Sequence, residues 1–267
     1  MSGRVQGKIA VITGAARGQG RSHAIRLAEE GADIIALDIC AELPHVKYPS
    51  ATPEDLEQTK KAVEATGQRV VTSLVDVRDH DALAAAVSQG ADTLGGLDIV
   101  VANAGICVTA KWQDVTPELF RDTIDINLIG VWNTLMAGAP HLVRRGGGSM
   151  IVTGSVGSVK GAPFLAPYVA SKHGVLGLAR TFAHELAKDN VRVNCVLPTG
   201  VDTAMAAGTV GDLFEGNPKL AGMFTNSLPV ETVDPVDISN AVLYLASDES
   251  RYVTAAALPV DAGCTQF

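Results

Sequence analysis

The sequence predicts an α/β fold in a single domain spanning residues 1–267, with seven parallel strands in a doubly wound sheet and helices on both faces. Three observations carry this. Short apolar runs without polar alternates recur seven times, as strands covered on both sides require. Stretches with helical spacing separate them. The first run ends in a glycine-rich turn that opens directly into a helix.

Residues 8–13 (KIAVIT) are the first strand and residues 14–20 (GAARGQG) the turn. A helix follows, with Ala24, Leu27 and Ala28 on one face and Gly31 ending it. Residues 32–38 (ADIIALD) form a second strand closing on a carboxylate, which completes a βαβ unit of Rossmann type. Residues 39–52 are long for a βα connection and hold Pro44 and Pro49. They are either decoration or a local cover. Thr52 and Pro53 then cap and open a helix that Gly67 stops. Strands are expected at 70–75, 97–102, 149–153, 191–197 and 255–260. Helices are expected at 79–93, 116–142, 168–187 and 234–247, the second of these beginning at a Thr116 cap and Pro117. Residues 200–230 lack one clean period and read as a cover of short helices or as surface.

A hydrophobic content of 47% supports a large core and excludes disorder. The net charge of −8 argues against nucleic acid, whose phosphates want a basic face. Cys40, Cys107, Cys195 and Cys264 form no CxxC pair, and the six histidines form no ligand motif, so metal hydrolysis is poorly supported. No apolar stretch is long enough for a bilayer, and the opening residues do not read as a signal peptide, so a cytoplasmic location is the expectation.

Gly14, Gly18 and Gly20 permit a tight turn and close approach of backbone to a pyrophosphate, which the helix N-terminus then attracts. Asp38, at the end of the second strand with Ile39 beside it, can accept from both ribose hydroxyls of NAD and would repel the extra phosphate of NADP. Arg17 lies in the turn and could hold such a phosphate, but with Asp38 in place NAD is favoured; otherwise Arg17 faces solvent and touches the diphosphate region at most. Tyr168 and Lys172, four apart, share one helix face. An ammonium beside a phenol favours the phenolate, so the pair can exchange a proton with an alcohol. Ser155 follows the strand at 149–153, on the side where such sheets bind ligands, and can hold a substrate oxygen; Ser158 is a weaker candidate. Asn127, an amide inside a helix, is expected to anchor a water or a backbone carbonyl near Lys172.

These motifs together resemble the short-chain dehydrogenase/reductase family over essentially the whole chain. Residues 13–20 resemble its cofactor turn, which includes Gln19. Asp76 and Val77 resemble its adenine contact, and Asn103, Ala104 and Gly105 its NAG motif. Asn127, Ser155, Tyr168 and Lys172 resemble its catalytic tetrad. Pro198, Gly200, Val201 and Thr203 resemble its nicotinamide-side segment. The resemblance implies NAD as cofactor, a small alcohol or carbonyl compound as substrate and a homotetramer.

A narrower resemblance rests on Gln19, where many relatives have an aliphatic residue, and on the insertion at 40–52. Both are similar to the mycofactocin-coupled actinobacterial subfamily, whose members are often labelled carveol dehydrogenases. This implies tightly held NAD and mycofactocin as electron acceptor. The insertion is expected to fold over the adenosine side of the cofactor. Rival readings are a 3-oxoacyl carrier-protein reductase, a sugar or steroid dehydrogenase and a dinucleotide-sensing scaffold. Asp38 counts against the first of these, and the presence of Tyr168 and Lys172 against the last.

Overall fold

A computed structural model of the chain describes residues 3–206, 211–214 and 216–266. Seven parallel strands run β1 Ile9–Thr13, β2 Asp33–Asp38, β3 Val70–Leu74, β4 Ile99–Ala102, β5 Gly148–Thr153, β6 Val191–Pro198 and β7 Ala257–Val260. Their order is β3-β2-β1-β4-β5-β6-β7, so the chain reverses direction of travel between β1 and β4. The crevice at such a switch point is where doubly wound sheets bind ligands. The helices are α1 Gly18–Glu29, α2 Pro53–Glu64, α3 His80–Leu94, α4 Pro117–Ile124, α5 Gly130–Arg145, α6 Ala166–Glu185 and α7 Pro235–Ala246. No helix among the described residues is long and apolar enough to cross a membrane.

The missing polar alternation in the strands has a direct structural cause. Ile9 and Val11 of β1 enter one core, and Ala10 and Ile12 enter the other. Val100 and Ala102 of β4 divide from Ile99 and Val101 in the same way. Both faces are buried, so apolar side chains are favoured on each.

Helix ends follow their capping residues. Thr52 accepts from Asp55 N while Asp55 accepts from Thr52 N, a reciprocal box that opens α2 with Pro53 in its first turn. Losing such a cap costs about 1 kcal/mol. Thr116 and Asp79 cap α4 and α3 one way only, their side chains accepting from Leu119 N and Ala82 N. The helix expected across residues 116–142 is α4 and α5 joined by a π turn over Asp125–Ile129. A π turn carries one extra residue and tends to sit at functional sites; Asn127 is at its centre.

His23 is fully buried between α1 and α7, its Nδ1 2.8 Å from Ser239 Oγ, and burial lowers its pKa to about 3. Ser239 Oγ donates to Pro235 O and so accepts from the imidazole. The folded protein therefore holds a neutral histidine that charges once unfolded. Stability from this group is complete above pH 6.5 and is lost as pH falls from there toward 3, by about 1.4 kcal/mol per pH unit. Denaturation midpoints should fall more steeply from pH 6.5 to 5 in the native chain than in His23→Gln. Parallel slopes would show that His23 is not the group responsible.

Candidate active site

The site begins with the turn between β1 and α1. Gly14 and Gly18 have positive φ, +69° and +53°. A Cβ on Gly14 would lie 2.9 Å from Ala104 Cα, and one on Gly20 would overlap the Gly14 carbonyl. Only hydrogen fits at either place. Arg17, the residue capping α1, makes no side-chain cap, and no acidic residue occupies the first turn. The free N–H groups and positive field of α1 are thus left for an anion. Gln19 Oε1 is buried without a hydrogen-bond partner. The glycine cradle and the uncapped helix fit a dinucleotide diphosphate.

Asp38 is buried at the end of β2. Its Oδ2 accepts from Ala16 N at 2.9 Å and its Oδ1 from Cys40 N at 3.0 Å. Each carboxylate oxygen keeps a lone pair for a ribose hydroxyl. Asn103 staples three strands at the switch point. Its Nδ2 donates to Thr13 O (3.1 Å) and Gly14 O (3.3 Å), and its Oδ1 accepts from Thr153 Oγ1 (3.3 Å). Thr203 closes over the turn, its Cγ2 3.2 Å from the position of a Gly18 Cβ. Asp76 is engaged by Arg78 at 2.6 Å; burial pushes its carboxyl up, but the Arg78 hydrogen bonds outweigh this and hold it below the ordinary range.

At the other end, Ser155 sits beyond β5 and starts a short turn, Val156–Ser158. Its Oγ accepts from Gly157 N at 3.1 Å, which leaves its own proton unspent. Ser158 Oγ accepts from Ser155 N, so Ser158 holds the Ser155 backbone rather than presenting a second substrate hydroxyl. Lys172 is buried, and its Nζ donates to Thr153 O at 2.6 Å and lies 5.6 Å from the centre of the Tyr168 ring. Burial lowers the Lys172 pKa to about 8. The Tyr168 phenol is raised, by burial first and Cys107 second, with a Ser155 hydrogen bond opposing. An ammonium near neutrality beside a phenol can relay a proton to and from an oxygen held by Ser155.

Of the residues nominated from the sequence for catalysis or cofactor binding, all but Asn127 and Ser158 line one cleft of about 440 Å³. Of the two roles expected for Asn127, the structure shows the backbone carbonyl. Its Oδ1 accepts from Ile106 N at 2.8 Å, and its Nδ2 donates to Ile106 O and Ser171 Oγ. The π turn aims the amide inward, where it clamps the segment after Gly105.

The insertion is a packed strap. Leu43 and Val46 rest on the core, His45 Nε2 lies 3.3 Å from Asp122, and Cys107 N donates to Tyr48 Oη at 3.3 Å. The Arg17 guanidinium stands 5.7 Å over the Tyr48 ring. The strap therefore reaches past the adenosine side to the loop after β4, farther than its position after Asp38 suggests. Tyr48 was not among the residues nominated from sequence. It is the one Phe, Tyr or Trp among residues 40–52, and that was its available signal. The cover expected over 200–230 is a pair of 3₁₀ turns, Gly211–Phe214 and Pro218–Phe224, docked through edge-on contacts Phe164–Phe214 and Phe214–Phe224. Residues 207–210 and 215 of that expected cover lie outside the described residues.

Residues 14–265 match the family model described as enoyl-(acyl carrier protein) reductase. The chain is 47% identical to the (−)-trans-carveol dehydrogenase of Rhodococcus erythropolis over 98% of its own length and 99% of the relative's. A carveol dehydrogenase of Mycobacterium avium, solved in complex with NAD, superposes with a TM-score of 0.94 at 51% identity, covering 99% of this chain and 100% of the other. A short-chain dehydrogenase of Mycobacterium paratuberculosis bound to NAD gives 0.97 at 52% identity with the same coverage. Fold, cradle geometry and full-length similarity agree: the chain belongs to the short-chain dehydrogenase/reductase family.

Proposed function

We propose that the protein is an NAD-dependent dehydrogenase that interconverts small, largely apolar secondary alcohols and their ketones, with Tyr168 as acid/base. The observation that carries this is one cleft joining two sites: the glycine turn with Asp38 at one end, and Ser155, Tyr168 and Lys172 at the other. NAD, when bound, supplies the hydride acceptor and a positive charge. Gly14, Gly18, Gln19 and Gly20 hold the diphosphate. Asp38 holds the adenosine ribose, with Ile39, Asp76 and Val77 flanking the adenine. Asn103, Ala104, Gly105, Pro198, Gly200, Val201 and Thr203 border the nicotinamide half.

In alcohol oxidation Ser155 donates its free proton to the substrate oxygen and fixes its direction. Tyr168 removes the hydroxyl proton, and Lys172 stabilises the phenolate while Thr153 O holds the ammonium in place. Asn127 positions the loop after β4 and, through Ser171, the helix turn that carries Lys172. Leu165, Met205, Met223 and Phe224 make the substrate end apolar, and carveol is the first compound to try. Anaerobic incubation of NAD-loaded protein with terpene and aliphatic alcohols should reduce the bound nicotinamide. If no secondary alcohol did so, the reading would fail.

The strap supports slow exchange of NAD, with mycofactocin as the external electron acceptor. Turnover should then be sustained by an artificial acceptor better than by free NAD. Tyr48→Ala removes both the contact with Cys107 N and the face under Arg17. It should speed NAD release roughly tenfold or more in stopped-flow fluorescence. An unchanged rate would remove the strap from cofactor retention.

We also assign a cytoplasmic homotetramer. The described cysteines are all free, in keeping with a reducing compartment. Ile129, Trp132, Met136 and Val143 expose a single apolar stripe along α5, and a stripe of this kind marks an association surface. Solution scattering should give a tetramer mass that falls in Trp132→Glu combined with Met136→Glu. A native monomer at micromolar concentration would contradict this.

A further inference from the structure

We infer that Lys160 is a second polar anchor for substrate, recognising a neutral oxygen acceptor, a carbonyl or hydroxyl, on the end of an apolar alcohol remote from the carbinol. This rests on the alcohol dehydrogenase reading of the cleft and specifies which alcohols it favours.

Three cations line the cleft: Arg17, Lys160 and Lys172. Arg17 belongs to the glycine turn and lies over Tyr48, and Lys172 is held under Tyr168 by Thr153 O. Lys160 has neither role. It stands half-buried on the segment after Ser155, where its Nζ donates to Cys264 O at 2.8 Å and approaches Cys264 Sγ at 3.7 Å. No carboxylate among the described residues pairs with it. An ammonium has three N–H donors, and the carbonyl uses one.

The wall around Lys160 is built from three segments tied together. Ser227 N and Leu228 N, at the end of the cover, donate to Ala262 O at 2.8 and 3.0 Å, and Lys160 joins the same C-terminal turn to the β5–α6 loop. That turn does not need a lysine to hold it. Asp261 already accepts from Gly263 N, Thr265 N and Thr265 Oγ1 at 2.7–3.0 Å. The half-buried ammonium lines the same cleft as Leu165, Met223 and Phe224 and keeps donor capacity there for a ligand oxygen. Glu231 lines the same cleft and would repel an anionic ligand, so the fitting acceptor is neutral.

The test compares cyclohexanol, the same ring alcohol with a ketone opposite the hydroxyl, and the same with a carboxylate there, on NAD-loaded native protein and Lys160→Met. Native kcat/KM should favour the keto-alcohol over cyclohexanol by roughly tenfold through KM, the scale of one hydrogen bond to a charged donor. In Lys160→Met that ratio should collapse toward unity. A native ratio near one, or a ratio that survives in the variant while all three substrates lose activity together, would overturn the inference and leave Lys160 as a strut. Preference for the carboxylate would overturn the neutral class. If none of the three is turned over, the dehydrogenase reading fails instead. Calorimetric binding of the same compounds to the NAD-loaded protein then still decides the role of Lys160.

Discussion

Tyr168→Phe is expected to lower kcat for alcohol oxidation by roughly 10²–10⁴-fold, the range lost when a positioned general acid–base is removed, with NAD affinity nearly intact. Phenylalanine keeps the ring packing and deletes only the hydroxyl that exchanges the proton. The neighbours should fail differently. Ser155→Ala loses the donor whose proton is unspent, so turnover should fall with little effect on cofactor. Lys172→Ala should reduce turnover and also weaken NAD binding. Single-turnover reduction of bound NAD, compared with NAD titration for each variant, separates these effects. Equal losses in both readouts for Tyr168→Phe would mean that the hydroxyl serves structure rather than chemistry.

Asp38→Asn is expected to erode the preference for NAD over NADP by roughly 10- to 100-fold, the worth of one to two hydrogen bonds to a charged acceptor. The carboxylate is buried at the end of β2 and anchored by Ala16 N and Cys40 N, so it cannot turn away from an added phosphate. Titration of both cofactors into native and variant protein checks this. Equal native affinities for NAD and NADP would show that Asp38 does not select.

The sheet and the cradle were legible in the sequence because local chemistry dictates them. β1 is an unbroken apolar run since both of its faces are buried, and Gly14 and Gly20 are glycines since a Cβ would strike backbone. Capping at Thr52 and Thr116 was equally local. The failures were long-range. Asn127 was expected to anchor a water or a backbone carbonyl; which carbonyl, Ile106 O, is set by a π turn, and no side-chain period reveals an extra residue in a helical turn. Tyr48 lay in a segment without periodicity, and its partners, Arg17 and Cys107, stand 31 residues before it and 59 after it in the chain. Lys160 was not singled out in the sequence, because its partner, Cys264 O, lies 104 residues away in the chain.

The central claim is that Tyr168, tuned by Lys172, carries the proton. Burial lowers Lys172 to about 8 and raises the phenol, and oxidation needs the deprotonated phenol. The most direct test is kcat for alcohol oxidation against pH, in native protein and in Tyr168→Phe, with an artificial electron acceptor. The native rate should rise with pH along one limb and level off, while the small residual rate of the variant lacks that limb. A variant that keeps native turnover and the same pH limb would contradict the account.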